Sequence, residues 1–179
     1  LPHGLHAFKD RLIIAEPDRL TSLDAHSGRK QWQAKTSVLT LRTIGDWLYT
    51  IDTSDGVIVR RRHYSSQSPI EVLAQPGTLI KYWWLSDYLI VCPTLRNDER
   101  CTHVIFIELS TGTSHQMRIP PTRPLCASAS PRSIALLVRS FDEHHLLSFD
   151  TTNHSVRLLT TQLPHLPRQI VHHDHTALI

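Results

Sequence analysis

The stretch Leu20-Thr21-Ser22-Leu23-Asp24-Ala25-His26-Ser27-Gly28-Arg29-Lys30-Gln31-Trp32 decides the fold. Two alternating segments, Leu20 to Asp24 and Lys30 to Ala34, flank a turn with Ser27-Gly28 near its apex, so the stretch reads as a β-hairpin. Gly28 is the residue type that takes the positive φ such a turn needs. The rest of the chain reads as weaker copies of this unit.

The copies set a period. An acidic residue ends the first strand of a hairpin at Asp24, Glu108 and Asp150, spaced 84 residues (twice 42) and then 42. Ser27-Gly28 aligns with Thr111-Gly112 and, less closely, with Asn153-His154. Asn is the other residue type that tolerates a left-handed turn. A second landmark, a polar turn residue introducing an apolar strand, stands at Asp10, Asp46, Asp87, Arg132 and Asp174, in steps of 36, 41, 45 and 42. Steps that vary in this way are what loop insertions produce.

Each unit offers about four short strands, and no stretch keeps an apolar pattern at helical spacing. In the third unit the strands are Leu79 to Leu85, Tyr88 to Cys92, His103 to Leu109 and His115 to Ile119, with a loop from Thr94 to Arg100. Four strands recurring at roughly 40 to 45 residues is the arithmetic of a β-propeller blade. The expected fold is therefore all-β, a propeller of about four blades at 1–36, 37–76, 77–120 and 121–163, with 164–179 opening another. Residues 166–179 resemble 1–15, which points to part of a larger ring and not to a closed four-blade one. The second unit is the least regular, since Tyr64 to Pro69 replaces the acidic turn. Gln75-Pro76-Gly77, Pro120-Pro121-Thr122-Arg123-Pro124 and Leu163-Pro164-His165-Leu166-Pro167 read as breaks between blades.

Over the eleven residues Ser22 to Trp32 the chain resembles the repeat of pyrroloquinoline-quinone-type propellers, Ala-Leu-Asp-x-x-Thr/Ser-Gly-x-x-x-Trp, with Ser22 in place of Ala. The resemblance implies that Trp32 docks between neighbouring blades. Gln116 and Leu158 occupy the tryptophan position in the third and fourth units, which widens the resemblance to quinoprotein-like or WD-like propellers in general. The repeat is a signature of shape and does not imply a cofactor.

Bulk properties exclude several classes. The 179 residues are 40% hydrophobic and 20% charged, ordinary globular composition. Apolar runs such as Ile134-Ala135-Leu136-Leu137-Val138 are strand-sized, far below the roughly 20 residues of a membrane-crossing helix. Leu1-Pro2-His3-Gly4 shows neither a basic, apolar leader nor a methionine, as expected of a processed form or an excised segment. Three cysteines, Cys92, Cys101 and Cys126, without a CxxC pair, favour a reducing, intracellular compartment, cytoplasmic or nuclear. A net charge of +3 is too slight to imply nucleic acid.

The candidate sites are few. His172-His173-Asp174-His175 is the densest ligand cluster, but neighbours on a strand point to opposite faces, so it reads as a polar turn and no metal site is expected. Arg60-Arg61-Arg62-His63 is the only basic run, read as a solvated outer strand or as a surface for an acidic partner peptide. In Tyr82-Trp83-Trp84, alternation separates Trp83 from its neighbours, so at least one ring is expected at a blade interface or near a channel mouth; core packing is the first reading, and the remaining ring, if exposed, is an anchor for a partner. There is no Gly-x-Ser-x-Gly elbow and no glycine-rich phosphate loop, the six glycines standing singly.

These readings lead to a non-enzymatic protein-interaction scaffold with Arg60, Arg62, Trp83 and Trp84 as the partner-binding residues, no cofactor, and no membrane or nucleic-acid partner. Self-association, or completion of the ring by another segment, would satisfy terminal edges. The alternatives are a quinoprotein-like oxidoreductase holding a quinone with calcium, and a hydrolase with carboxylates converging at a channel mouth, for which Asp46, Asp87 and Asp174 stand at equivalent turns.

Overall fold

A computed structural model describes residues 4–53, 56–64, 70–77, 80–94, 99–130, 132–153, 155–160, 171–173 and 176–178. Among them there is no helix, and the chain divides into two compact units, 1–77 and 78–179.

The first unit holds two antiparallel meanders of four strands. One is β1 (Gly4–Phe8), β2 (Arg11–Glu16), β3 (Arg19–Asp24) and β4 (Lys30–Lys35). The other is β5 (Val38–Ile44), β6 (Trp47–Asp52), β7 (Ile58–His63) and β8 (Glu71–Ala74). The expected hairpin is β3–β4, with Ser22 opposite Trp32 and Gly28 at φ 68°. Alternation places Ile13, Ala15, Leu20, Val38 and Leu48 on the inner faces, and their shared cluster with Phe8 joins the two sheets. Trp32 packs against this cluster, so the docking role implied for it is the one it has.

The second unit contains a seven-stranded antiparallel sheet in sequence order: β9 (Ile80–Trp84), β10 (Tyr88–Pro93), β11 (Cys101–Glu108), β12 (Ser114–Ser130), β13 (Ser133–Ser140), β14 (Glu143–Asp150) and β15 (Val156–Thr160). β16 (Val171–His173) and β17 (Thr176–Leu178) pair separately. The proline segment at Pro120 to Pro124 lies where one meander passes to the next, and β12 runs through it without interruption. Up to Thr122 it pairs with β11, and from Arg123 onward with β13. Proline fits an extended backbone and lacks only a donor, so its place is where a strand changes partners and the register slips. Both slips, at Cys101/His103 and Pro124/Cys126, lie there.

One backbone hydrogen bond recurs in four meanders and explains the landmark residues. The carbonyls of Asp10, Asp46, Asp87 and Arg132 accept from the N–H groups of Ala25, Tyr64, Leu109 and Thr151 at 2.7, 2.8, 2.9 and 3.0 Å. A carbonyl belongs to any residue, and so Arg132 can stand where the others carry Asp. The same register puts His63, whose neighbour is Tyr64, in the position held by Asp24, Glu108 and Asp150. The acidic turn missing from the second sequence repeat is thus replaced by a histidine set edge-on to Trp47, ring centroids 5.2 Å apart.

Candidate functional site

The basic run divides between two faces of one strand. β7 is the third strand of its sheet, paired on both sides by β6 and β8, and its arginines are half-buried, which corrects the expectation of a solvated outer strand. Burial of cationic or polar side chains on an inner strand requires partners, and the sheet supplies them for Arg60, Arg61 and His63. On one face Arg61 binds Glu71 at 2.6 Å and lies 4.1 Å over the Trp47 ring, beside His63. On the other face stand Arg60 and Arg62.

Arg60 reaches back to buried Asp52 on β6, 3.0 Å to Oδ2. Burial pushes the Asp52 carboxyl up, and the attraction of Arg60 only partly offsets this. The Thr36 and Thr50 hydroxyls lie near enough to lower it further, yet neither Asp52 Oδ1 nor Thr36 Oγ1 completes a hydrogen bond of normal geometry. Arg62 lies over Trp32 of the first sheet, 4.4 Å from guanidinium carbon to ring. Burial alone acts on its charge, with no carboxylate of the described residues beside it. Trp32 Nε1, beneath it, is buried and also lacks an acceptor.

These side chains line one cleft between the two sheets of the first unit. Leu20, Trp32, Ala34 and Thr36 form one wall, and Leu48, Thr50, Asp52, Arg60, Arg62 and Ile70 the other. The second wall follows from cross-strand register, since Leu48 faces Arg62, Thr50 faces Arg60, and Arg60 faces Val72. Its enclosed space is about 30 Å³, room for one or two waters and far below the roughly 300 Å³ of an organic-ligand pocket. At the rim Ile70, just before the edge strand β8, and Val72 on it are 40% and 49% exposed. The cleft thus brings together a cation, an indole donor without an acceptor and an apolar lip.

Trp83 and Trp84 belong to the second compact unit, on β9. Trp83 opposes Ile90 and packs against the core cluster of the second unit, whereas Trp84 opposes Leu89 on the reverse face, half-buried. The structure thus assigns the two tryptophans to different faces of their strand. His172 and His173 form part of β16, and Asp174 and His175 lie outside the described residues. Among the described residues no three His, Cys, Asp or Glu side chains converge as a metal site would require. Asp46, one of the equivalent turn carboxylates, ion-pairs with Lys9. Sequence reasoning missed Trp32, Asp52 and Thr36 as members of the site; the signal available was that the Arg60 and Arg62 face of a paired strand demands a counter-charge.

No family model and no curated protein matches the sequence. Among solved structures the chain is similar to β-propellers. The N-terminal domain of Nup159 aligns with a TM-score of 0.54 at 14% identity, over 87% of this chain and 46% of that one. Kluyveromyces lactis Hsv2 gives 0.55 at 11%, over 84% and 49%. The Dos1 propeller gives 0.54 at 12%, over 85% and 44%. The chain has the β-propeller fold expected from its period, and spans a little under half the length of these propeller chains. Among the described residues no helix is long and apolar enough to cross a membrane.

Proposed function

We propose that the protein is a non-enzymatic interaction scaffold which holds an acidic, partly apolar segment of a protein partner in the cleft between its first two blades. In this reading the blades run 1–36, 37–76, 77–120 and 121–163, with 164–179 opening a fifth, and the protein works in a reducing intracellular compartment. The observation that carries it is Arg62, a half-buried guanidinium with no carboxylate partner among the described residues, poised over Trp32 at the rim of the cleft. A charge taken from water without a counter-ion is costly, and a carboxylate supplied by a partner removes that cost. Ile70 and Val72 supply the apolar contact beside it. Interaction proteins occur among its structural neighbours: one solved structure similar to this chain, at a TM-score of 0.54, is that of S. cerevisiae Dbp5 bound to Nup159, Gle1, IP6 and ADP.

The geometry sets the experiment. Reversing Arg60 would strand Asp52, so the informative variant is Arg62→Glu alone, with Arg29→Glu in the exposed hairpin turn as the control. On an array of peptides pairing one acidic residue with apolar neighbours, Arg62→Glu is expected to weaken the bound peptides at least about tenfold, the equivalent of one desolvated charge contact. Arg29→Glu should leave them unchanged. Peptide binding that ignores Arg62, or an array with no bound peptide, overturns the reading. Sedimentation of the same samples shows whether the acidic segment belongs to a second copy.

A further inference from the structure

The fold leaves a hole at the same joint twice, and the scaffold reading uses only the first. The carbonyls of Asp46 and Arg132 accept equivalent hydrogen bonds, from Tyr64 and Thr151. Counted from these bonds, Asp52 corresponds to Val138 and Arg60 to Leu147. Counted from the tryptophan position, held by Trp32 and Gln116, Thr36 corresponds to Pro120. Thr36, Asp52 and Arg60 line the cleft of the first compact unit. Pro120, Val138 and Leu147, with Thr122, Ser140 and His145, line a cavity of about 110 Å³ in the second. The hole is a property of the joint, and its lining is particular to each.

In the second cavity two unmatched polar atoms stand among apolar walls. Val138 and Leu147 belong to the buried core cluster, and Pro120 adds a third apolar wall. Thr122 is 3% exposed, and neither its Oγ1 nor the buried Nδ1 of His145 has a hydrogen-bond partner among the described residues. The other ring nitrogen, His145 Nε2, lies 3.6 Å from the Glu143 carboxylate. A buried polar group without a partner is costly, so this pair marks a place for a ligand with a matching group. Beyond Ser140 the chain turns at Phe141, 83% exposed at φ 52°, its carbonyl accepting from Arg139 Nε at 2.8 Å. A bulky side chain there carries both left-handed strain and the cost of exposure, neither of which Asn would carry.

We propose that this cavity receives a tyrosine side chain of a protein partner. Its ring meets Pro120, Val138 and Leu147, and its hydroxyl accepts from the Thr122 hydroxyl while donating to His145 Nδ1, with the imidazole proton on Nε2 toward Glu143. An apolar cavity of about 150 Å³ admits benzene, and about 110 Å³ admits the outer part of a ring entering tip-first. Phenylalanine would fill the same space and leave both polar atoms unmatched. Serine or threonine would match them and leave the apolar walls bare. A site built around a hydroxyl rejects the analogue that lacks it. Phe141 offers apolar surface to one neighbour of the tyrosine, and the exposed carboxylates of Asp142 and Glu143 favour a cation at the other. The site shares no residue with the Arg62 cleft and stands whether or not that cleft binds a carboxylate.

The test titrates two short peptides into the isotope-labelled full chain and follows its amide resonances. One peptide reads alanine, lysine, tyrosine, leucine, alanine, and the other has phenylalanine in place of tyrosine. The tyrosine peptide is expected to move the resonances of Ser140, His145 and Leu147 and to bind at least about tenfold more tightly than the phenylalanine peptide. Thr122→Val and His145→Met each remove one of the two polar atoms, and in each the two affinities are expected to come within about threefold of each other. No saturable binding, shifts confined to the first compact unit, equal affinities in the wild type, or a tyrosine preference that survives either variant overturns the proposal. The wild-type ratio decides alone if a variant does not fold.

Discussion

Two aspartates show how place alone sets the sign of a carboxylate's contribution. Asp24 lies in the open hairpin turn, where its Oδ1 accepts from the Ser27 N–H at 2.7 Å, the Ser27 hydroxyl at 2.8 Å and the His26 N–H at 3.1 Å. These donors, with Ser27 foremost, hold its pKa below the ordinary range. Its ionised form therefore favours the fold above the unfolded pKa of about 3.9, and that contribution is lost as pH falls through the lower folded value. Asp24→Asn should flatten the acid limb of the stability curve, measured by urea unfolding from pH 7 to 2. Asp52 behaves in the opposite sense. Burial raises its pKa, so the folded state binds the extra proton and stability falls as pH rises from the unfolded pKa of about 3.9 through the folded value. Asp52→Asn is expected to be the more stable protein at pH 7, with the advantage gone near pH 3, where both states of the wild type are protonated. A wild type more stable than Asp52→Asn at neutral pH would show that the Arg60 pair outweighs burial. Ser22, the one departure from the quinoprotein-type pattern in the hairpin, is fully buried with its hydroxyl unpaired. An unsatisfied buried hydroxyl costs about 1–3 kcal/mol, so Ser22→Ala should raise the unfolding free energy by about 1 kcal/mol with no change in the denaturant slope.

The hairpin turn is where sequence and element agree most closely, and the reason is locality. Gly28 at φ 68° donates its N–H to the Asp24 carbonyl at 2.9 Å, and Gly112 at φ 78° does the same to Glu108 at 2.7 Å. A Cβ at Gly28 would meet nothing within 4 Å, so Gly28→Ala costs only the backbone strain, about 1 kcal/mol by chemical denaturation. A loss of several kcal/mol would mean that the turn is packed by contacts the geometry does not contain. Period, turn chemistry and alternation are all local quantities, which is why they were readable from Leu20 to Trp32. The fate of Arg60 to His63 was not, because alternation could say only that the run splits between two faces. What each face meets depends on Asp52 across the sheet and Trp32 in the neighbouring one, and no spacing rule brings residues 32 and 62 together. What the prolines of β12 could not show is that the strand continues through them: they mark a change of strand partner, and a change of partner leaves the backbone as extended as before.

At the scale of the whole molecule, β12 determines how the second unit cooperates. It is at once the last strand beside β9–β11 and the first beside β13–β15, and so two four-stranded meanders share one continuous sheet. The core follows the same path: Ile90, Val104 and Phe106 from one side of the handover pack in one cluster with Ile119 of β12 and Ile134, Leu136 and Phe149 from the other. Phe106 and Phe149 stack with centroids 4.2 Å apart and ring planes within 7°. Truncating a buried phenylalanine removes its transfer free energy and leaves a cavity, so Phe149→Ala should cost about 3–5 kcal/mol, whereas Phe149→Leu, which keeps most of the volume, should cost nearer 1 kcal/mol. The informative readout is where protection is lost in native-state hydrogen exchange. If the handover strand couples the two meanders, Phe149→Ala lowers protection in β10 and β11 by the same free energy as in β13 and β14, although no backbone hydrogen bond joins those pairs directly. Protection lost from β13 and β14 alone would mean that the meanders open independently, each blade resting on its own core, and that β12 transmits its register but not its stability.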